Sequence, residues 1–393
     1  MKQKLKMDSK QKIKVSIVRC SSYDKASVAK AIKQSLENIG FETKKYKNKK
    51  VLIKPNILGS YHPSKAITTH PEIVFSVAKI FKEADAEVDV GESFNPFGIK
   101  LSDSFKKTGI QSAAEKAGAK VVHFLSNDAK EWHNEKNEVL KKVRLPKQLN
   151  DYDLIVNLPK MKTHSLVRYT GAVKNTFGFV PGGQKPTYHV VGKNEQKFSK
   201  MILDIYQTIP NMNLNIIDGI IGLEGEGPGT AGRPKKSNLI ICSENALAAD
   251  IVAAEIMCFK DDEVLTNKFG KERNLVGEIE TVGEKIKDVK INFKKANSSI
   301  GGIIPIIAPF FFKIVAKRPF IHQEKCKRCQ ACVKICPPKA MSFDKNKKKV
   351  CINKKECIMC YCCSEICPYD AITLEQSKLA KTLIKIKNRI MGE

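Results

Sequence analysis

Eight of the chain's 13 cysteines form two runs of identical spacing, and no other feature limits the fold as strongly. The first is Cys326-x2-Cys329-x2-Cys332-x3-Cys336-Pro337; the second, 31 residues later, is Cys357-x2-Cys360-x2-Cys363-x3-Cys367-Pro368. The repeat continues outside the thiols, where Ile321 matches Ile352 and Ala340-Met341-Ser342-Phe343 matches Ala371-Ile372-Thr373-Leu374. Each half is too small to bury a core alone, so the halves must pack on one another. The C-x2-C-x2-C loop presents three thiolates, and the Cys before Pro reaches across to the other half's cluster. The spacing therefore predicts two 4Fe-4S clusters. Cys326, Cys329, Cys332 and Cys367 would hold one, and Cys336, Cys357, Cys360 and Cys363 the other. Zinc sites use separated C-x2-C pairs, and disulfides need an oxidising compartment. Cys351 and Cys362 stand outside the repeat register and read as bystanders.

These residues resemble the bacterial two-cluster ferredoxin domain over roughly 320–375, with one departure. From Cys326 to Leu374 there are ten Lys/Arg against four Asp/Glu, whereas small soluble ferredoxins are typically acidic. An acidic ferredoxin or flavodoxin-type carrier is therefore the expected electron-transfer partner, steered by complementary charge. The whole chain carries a formal net charge of +28, and 61 of its 69 basic residues are Lys. They are spread along the chain without Arg-rich patches or a nucleic-acid module, which argues against nucleic acid as a partner. No run of 18 uncharged apolar residues occurs, so no transmembrane segment is expected. The N-terminal stretch lacks an apolar h-region, so a cytoplasmic protein is expected.

Residues 14–300 alternate strand-like and helix-like patterns, which predicts an α/β fold: a mainly parallel sheet with helices on its faces. Strands are expected at Lys14–Val18, Val51–Ile53, Glu87–Val90, Lys120–Phe124, Leu154–Leu158, Leu214–Ile217 and Leu239–Cys242. Asp24 and Pro71 mark helix starts, and a helix is expected over Ala246–Phe259. The full division is a basic tail (1–13), the α/β domain (14–300), an apolar connector (301–319), a small α+β two-cluster ferredoxin-like domain (320–375) and a basic amphipathic C-terminal helix (376–393).

Ligands of such sheets gather at the carboxyl ends of the strands. There the sequence places Lys54 and Asn56, then Thr69-His70, then Lys160, Lys162, His164 and Lys174 in a stretch, 159–196, that reads as a long irregular loop. Together Lys54, Asn56, Lys160, Lys162 and Lys174 predict an anion-binding cleft, with His164 as the candidate general acid. The run Gly222–Gly232, with five Gly in eleven residues, reads equally as a structural turn or a ligand loop. It matches neither the dinucleotide fingerprint nor the P-loop.

The strings Lys54-Pro55-Asn56, Thr69-His70-Pro71, Asn157-Leu158-Pro159-Lys160-Met161-Lys162-Thr163-His164, Gly171-Ala172-Val173-Lys174-Asn175 and Gly222-Leu223-Glu224-Gly225 resemble the domain of unknown function 362 family. That family is often fused to a two-cluster ferredoxin module. The resemblance implies an iron–sulfur protein of bacteria or archaea, and the family name assigns no activity. Asn245 stands where the resemblance implies Asp, which argues against a metal site on the helix that follows. Two functional expectations remain open at this point. One is low-potential electron transfer feeding a reductive reaction on a small anionic ligand, a ferredoxin-dependent oxidoreductase. The other is a non-catalytic anion-binding scaffold or maturation factor.

Overall fold

The computed structural model describes residues 12–93, 101–192, 194–296 and 318–375. The basic tail up to residue 11, the connector over 301–317 and the C-terminal segment 376–393 lie outside these residues.

The large region is built on a ten-stranded mixed sheet. Its strands are β1 (Ile13–Arg19), β2 (Lys50–Pro55), β3 (Glu87–Glu92), β4 (Lys120–His123), β7 (Leu154–Leu158), β8 (Lys160–His164), β9 (Arg168–Thr170), β10 (Leu214–Gly225), β11 (Gly232–Ser243) and β12 (Ile279–Gly283). A separate hairpin joins β5 (Ala129–His133) and β6 (Lys142–Pro146). The main path runs β12-β1-β11-β10-β7-β2-β3-β4, with β8 beside β10 and β9 beside β8. The pairs β2–β3, β2–β7, β3–β4 and β7–β10 are parallel, while β11 runs antiparallel to both β1 and β10.

Val51, Leu52 and Ile53 of β2 and their register partners Leu154, Ile155 and Val156 of β7 have no exposed surface. Burial on both faces is what a parallel sheet covered by helices requires. Successive residues serve opposite layers. Val51 and Ile53 pack under the helices Lys25–Ile39 and Pro71–Glu83, while Leu52 and Ile155 pack against the helix Glu195–Thr208. Helix Lys25–Ile39 buries Val28, Ile32, Leu36 and Ile39 as one stripe; Asp24 caps its start by accepting from Ser27 N–H (3.0 Å), and Gly40 ends it at φ 73°. That stripe is worth about 1.5–3 kcal/mol per large side chain in transfer free energy. The fold is α/β, as the pattern predicted.

Two stretches differ from the sequence expectation. The run Gly222–Gly232 is partly strand, because β10 continues to Gly225 and β11 begins at Gly232, with a turn over 226–231 in keeping with the turn reading. Leu223, packed on Ala66 and Ile67, draws the strand onward. The stretch 159–196 is not an irregular loop. It contains β8, β9 and the helices Ala172–Asn175 and Lys185–Val191. Its Gly, Lys and Asn content read as a loop around an anion, but Lys160, Lys162, Thr163 and His164 are all buried in a strand pairing with β10. Helix Ala246–Ile256 also ends before Phe259.

The small region pairs β13 (Arg318–Ile321) with β16 (Ile372–Glu375), and β14 (Met341–Asp344) with β15 (Lys349–Ile352), both antiparallel. Each ribbon takes one strand from each half of the repeat, so neither half stands alone. Positive φ recurs at Arg328 and Met359, Gln330 and Tyr361, and Lys339 and Asp370, each pair 31 residues apart. The sequence repeat is thus also a backbone repeat, with short helices at Ala331–Ile335 and Cys362–Glu365.

Candidate functional site

At the carboxyl ends of β2 and β3, Lys54 Nζ lies 2.6 Å from Glu92 Oε2, both side chains almost wholly buried. Lys54 also donates to Pro55 O (3.1 Å), and Ser93 N–H donates to Glu92 Oε1 (2.9 Å). Burial pushes the lysine pKa down and the glutamate pKa up, and each partner's charge opposes that shift. Satisfied in this way, Lys54 is a structural half of an ion pair rather than an open anion ligand.

Strand alternation puts Lys160, Lys162 and His164 on one face of β8, but their surroundings diverge. Lys160 donates to Tyr23 OH (2.7 Å) and Asp218 Oδ2 (2.9 Å). Asp218 also accepts from Tyr23 OH (2.8 Å) and His70 N–H (2.9 Å), and the His70 ring stacks on Tyr23 at 3.6 Å. His70 is the cap of helix Pro71–Glu83, accepting from Glu72 N–H. Lys160, Asp218 and the Tyr23 hydroxyl satisfy one another in that network, so Lys160 does not join the anion site expected of it.

Lys162 donates to Asn56 Oδ1 (2.6 Å) and Ile67 O (2.9 Å), both neutral acceptors. Lys174, from the short helix Ala172–Asn175, makes no hydrogen bond or close ion pair among the described residues, and the nearest opposing charge is Glu365 across the cavity. Its Nζ lies 5.9 Å and 6.0 Å from the ring centres of Phe177 and Phe198. Burial lowers both lysine pKa values, and the Lys174 charge lowers that of Lys162 further. Asp250 fixes the start of the Lys174 helix, accepting from Ala172 N–H (2.6 Å), Val173 N–H (2.8 Å) and Tyr169 OH (3.0 Å). Burial raises its pKa to about 7 against those three hydrogen bonds. Asn245 caps the helix that carries Asp250 by accepting from Ala248 N–H (2.9 Å).

Lys162 and Lys174 look into a cavity of about 110 Å³ between the large region and the cysteine-rich region. Asn56, Glu92, Lys185 and His189 line the same side. Lys185 donates to Ser93 O (2.6 Å), and burial lowers its pKa to about 8. His189 stacks on Phe198 (4.8 Å), and its buried Nδ1 has no partner. The opposite wall is Ile335, Cys362, Glu365 and Ile366. Tyr61 OH donates to Glu365 O (3.2 Å), and the hairpin turn 226–231 lies against Tyr361, Ser364 and Glu365. A side chain at Gly227 in that turn would run into the Thr163 carbonyl.

His164 does not line the cavity. Its Nδ1 accepts from Leu166 N–H (3.0 Å), so the ring hydrogen sits on Nε2, which is buried, without a hydrogen bond and 3.7 Å from Glu365 Oε1. Burial, with Lys174 and Lys162 nearby, pushes its pKa well down and keeps the ring neutral. A neutral imidazole closed off in this way is not the general acid expected from sequence.

All eight motif cysteines are free thiols, and Cys329 is the exposed one. Burial raises the Cys332 thiol to about 12, with Cys367, Cys329 and Cys326 adding to the rise. Cys336 feels Cys360 and Cys357 in the same way, and Cys363 feels Cys360, Cys357, Cys332 and Cys336. Thiols of the two halves thus lie near one another, Cys332 with Cys367 and Cys336 with Cys360 and Cys357, although no three of them converge closely enough among the described residues to form a ready metal site. Cys351 lies in β15, paired with Ser342. Cys362, read as a bystander, lines the cavity.

A family model described as domain of unknown function (DUF362) matches residues 51–255, and one described as a 4Fe-4S dicluster domain matches 325–371. The chain belongs to the DUF362 family. It is an iron–sulfur protein with a 4Fe-4S-binding domain. A thylakoid-associated protein of Synechocystis is 31% identical over 245 residues, which cover 62% of this chain and 74% of that protein. The lactate racemase apoprotein of Thermoanaerobacterium thermosaccharolyticum aligns at 17% identity and a TM-score of 0.35, over 55% of this chain and about half, 52%, of its own. No activity follows from a likeness of that size. No helix among the described residues of this DUF362 chain is long and apolar enough to cross a membrane.

Proposed function

We propose that this DUF362 protein is a cytoplasmic electron-transfer protein with two 4Fe-4S clusters, which delivers electrons to a small anion held between its two regions. Cys326, Cys329, Cys332 and Cys367 hold one cluster, and Cys336, Cys357, Cys360 and Cys363 the other. When bound, such clusters supply single electrons at low potential. The observation that carries the reading is the cavity itself. One wall presents Lys162 and Lys174, neither of them in a close ion pair, with Glu365 as the single opposing carboxylate across the cavity. The other wall is formed by Ile335, Cys362 and Ile366, the chain neighbours of Cys336, Cys363 and Cys367, together with Glu365.

The residues divide the work. Lys174 has three N–H groups for an anion's oxygens, and a bound anion would favour the charged form of Lys162, which burial and the Lys174 charge otherwise oppose and which leaves one N–H after its two acceptors. Asn56 orients Lys162, and Asp250 holds the helix that aims Lys174. Ile57, Leu58 and Phe177 give the cavity an apolar side that excludes water from an organic ligand. At roughly 10–15 Å³ per water-sized sphere, the enclosed space suits a ligand far smaller than a nucleotide. Electrons enter from an acidic ferredoxin or flavodoxin-type carrier steered by the lysines of the cysteine-rich region. The testing experiment is chemical identification of the anion that co-purifies with anaerobically prepared protein. The reading expects one small anion per chain in the wild type and none in Lys174→Met. Equal recovery from both proteins sinks the site.

A further inference from the structure

We infer that the first half of the cysteine-rich region carries a docking groove for a small acidic electron-carrier protein, which seats a carboxylate-bearing surface loop there. The inference rests on the electron-transfer reading above and adds the surface through which electrons enter.

The two halves repeat in spacing, in strand pairing and in their left-handed backbone positions. Equivalent faces of the halves nevertheless meet different surroundings. In the second half, Tyr361, Ser364, Glu365 and Leu374 lie against the large region's turn 226–231. The fit is close, since a side chain at Gly229 would start 3.5 Å from the Glu365 backbone. Counted back 31 residues, those four positions are Gln330, Val333, Lys334 and Phe343. All four line an open groove of about 720 Å³, which the large region borders only through Pro186. The fold thus already uses this face to hold a protruding turn, and its first copy lies open.

Charge indicates the occupant. Lys334, Lys339 and Lys345 rim the groove, are exposed and form no ion pair among the described residues. No carboxylate lines it. In the second half the positions of Lys334 and Lys339 hold Glu365 and Asp370, so the two faces suit partners of opposite charge. Half-buried Val333 and Phe343 give the groove an apolar floor. Its wall also includes Cys336, a proposed cluster ligand, so a carrier held there brings its redox centre beside a cluster. Ile335 and Pro186 line both this groove and the anion cavity, so electron entry and the ligand site share a wall. Transient electron-transfer contacts bury less than about 1,200 Å² in total, which one loop and its flanks can supply. Lys347, Lys348 and Lys349 do not line the groove and steer only from a distance.

The test mixes a reduced acidic ferredoxin anaerobically with the full holoprotein at low salt and follows cluster bleaching. Titanium(III) citrate serves in parallel as a small reductant that needs no docking. Lys334→Glu/Lys339→Asp gives the first half the charges of the second, and should slow reduction by the ferredoxin roughly tenfold or more. Titanium should bleach both proteins fully at equal iron content. Carbodiimide crosslinking should join Lys334 or Lys339 to carboxylates of the ferredoxin. Equal ferredoxin rates in the two proteins overturn the docking inference alone. So do crosslinks from these lysines only to carboxylates of this chain, which would make the occupant its own C-terminal segment or a second copy. Clusters that titanium fails to bleach overturn the electron-transfer reading beneath it.

Discussion

The large region and the cysteine-rich region are held together by different kinds of core. In the large region the sheet is clad on both faces by Val, Ile, Leu and Phe side chains with almost no exposed surface, a core that needs nothing beyond the chain. The core of the cysteine-rich region has twelve buried residues, and four are thiols: Cys332, Cys362, Cys363 and Cys367. Of these, Cys332, Cys363 and Cys367 are proposed cluster ligands. Iron bound there would form part of that region's folding free energy, as in other small metal-bound domains.

The sharpest way to break that contrast is to remove a ligand. Cys336→Ser should lower bound iron from about eight to about four per chain, the content of one four-iron cluster. By the cross-ligation pattern, the loss should fall on the cluster of Cys357, Cys360 and Cys363. Cys362→Ala and Cys351→Ala should keep all their iron by metal analysis. Stripping iron with a chelator should unfold the cysteine-rich region while amide exchange in β2, β7 and β10 stays slow. Protection lost equally in both regions would erase the distinction between the two cores.

A second test touches only the large region. Lys54→Met leaves Glu92 buried without its cation, which should cost about 3–5 kcal/mol, read as a lower denaturant midpoint at unchanged iron content. A loss below about 1 kcal/mol, the range of exposed pairs, would mean that the pair is hydrated in solution.

A third, smaller effect is one of pH. Lys185 has its pKa lowered by burial to about 8 from 10.5, so the folded protein sheds this proton earlier than the unfolded chain does. The unfolded state then holds more protons between about pH 8 and 10.5, and this residue's contribution to stability rises with pH across that window. Anion affinity should move the other way, weakening as pH rises through about 8 and one cavity charge is lost. Lys185→Met should flatten that part of the binding profile, as measured by calorimetry with the co-purified anion.

The smallest effect lies at the surface. Lys347→Gln, Lys348→Gln and Lys349→Gln together should slow reduction by an acidic ferredoxin at low salt, with the difference fading near 1 M salt, where the Debye length is about 3 Å. Iron content should not change. A rate indifferent to both salt and substitution would leave those lysines without a role in docking.

The same contrast explains what could be read from sequence. The cysteine repeat was legible because ligand geometry imposes a spacing, and the sheet because buried parallel strands are continuous apolar runs such as Val51–Ile53. Lys162 and Lys174 were legible through the strand-end rule. Lys160 was not separable from them, since its partners Tyr23 and Asp218 come from elements distant in the chain. Lys185 and His189 were hidden in a stretch that reads as a loop. Cys362 and Glu365 were hidden inside the cluster motif, because spacing reports which residues bind iron and is silent on which face the other region. His164 misled because its residue type suggests proton transfer, whereas two backbone amides and complete burial decide its state.

The central claim is that electrons reach an anion held by Lys162 and Lys174 against the cluster-binding wall. It is tested most directly by one anaerobic single-turnover measurement. Protein reduced to two electrons per chain is mixed with the anion recovered from the wild-type preparation, and cluster absorbance is followed. The account predicts that the bleached absorbance returns, that Lys174→Met stays bleached, and that both proteins hold the same iron. Absorbance that stays bleached in the wild type while the anion is bound, or that returns equally in Lys174→Met, contradicts it.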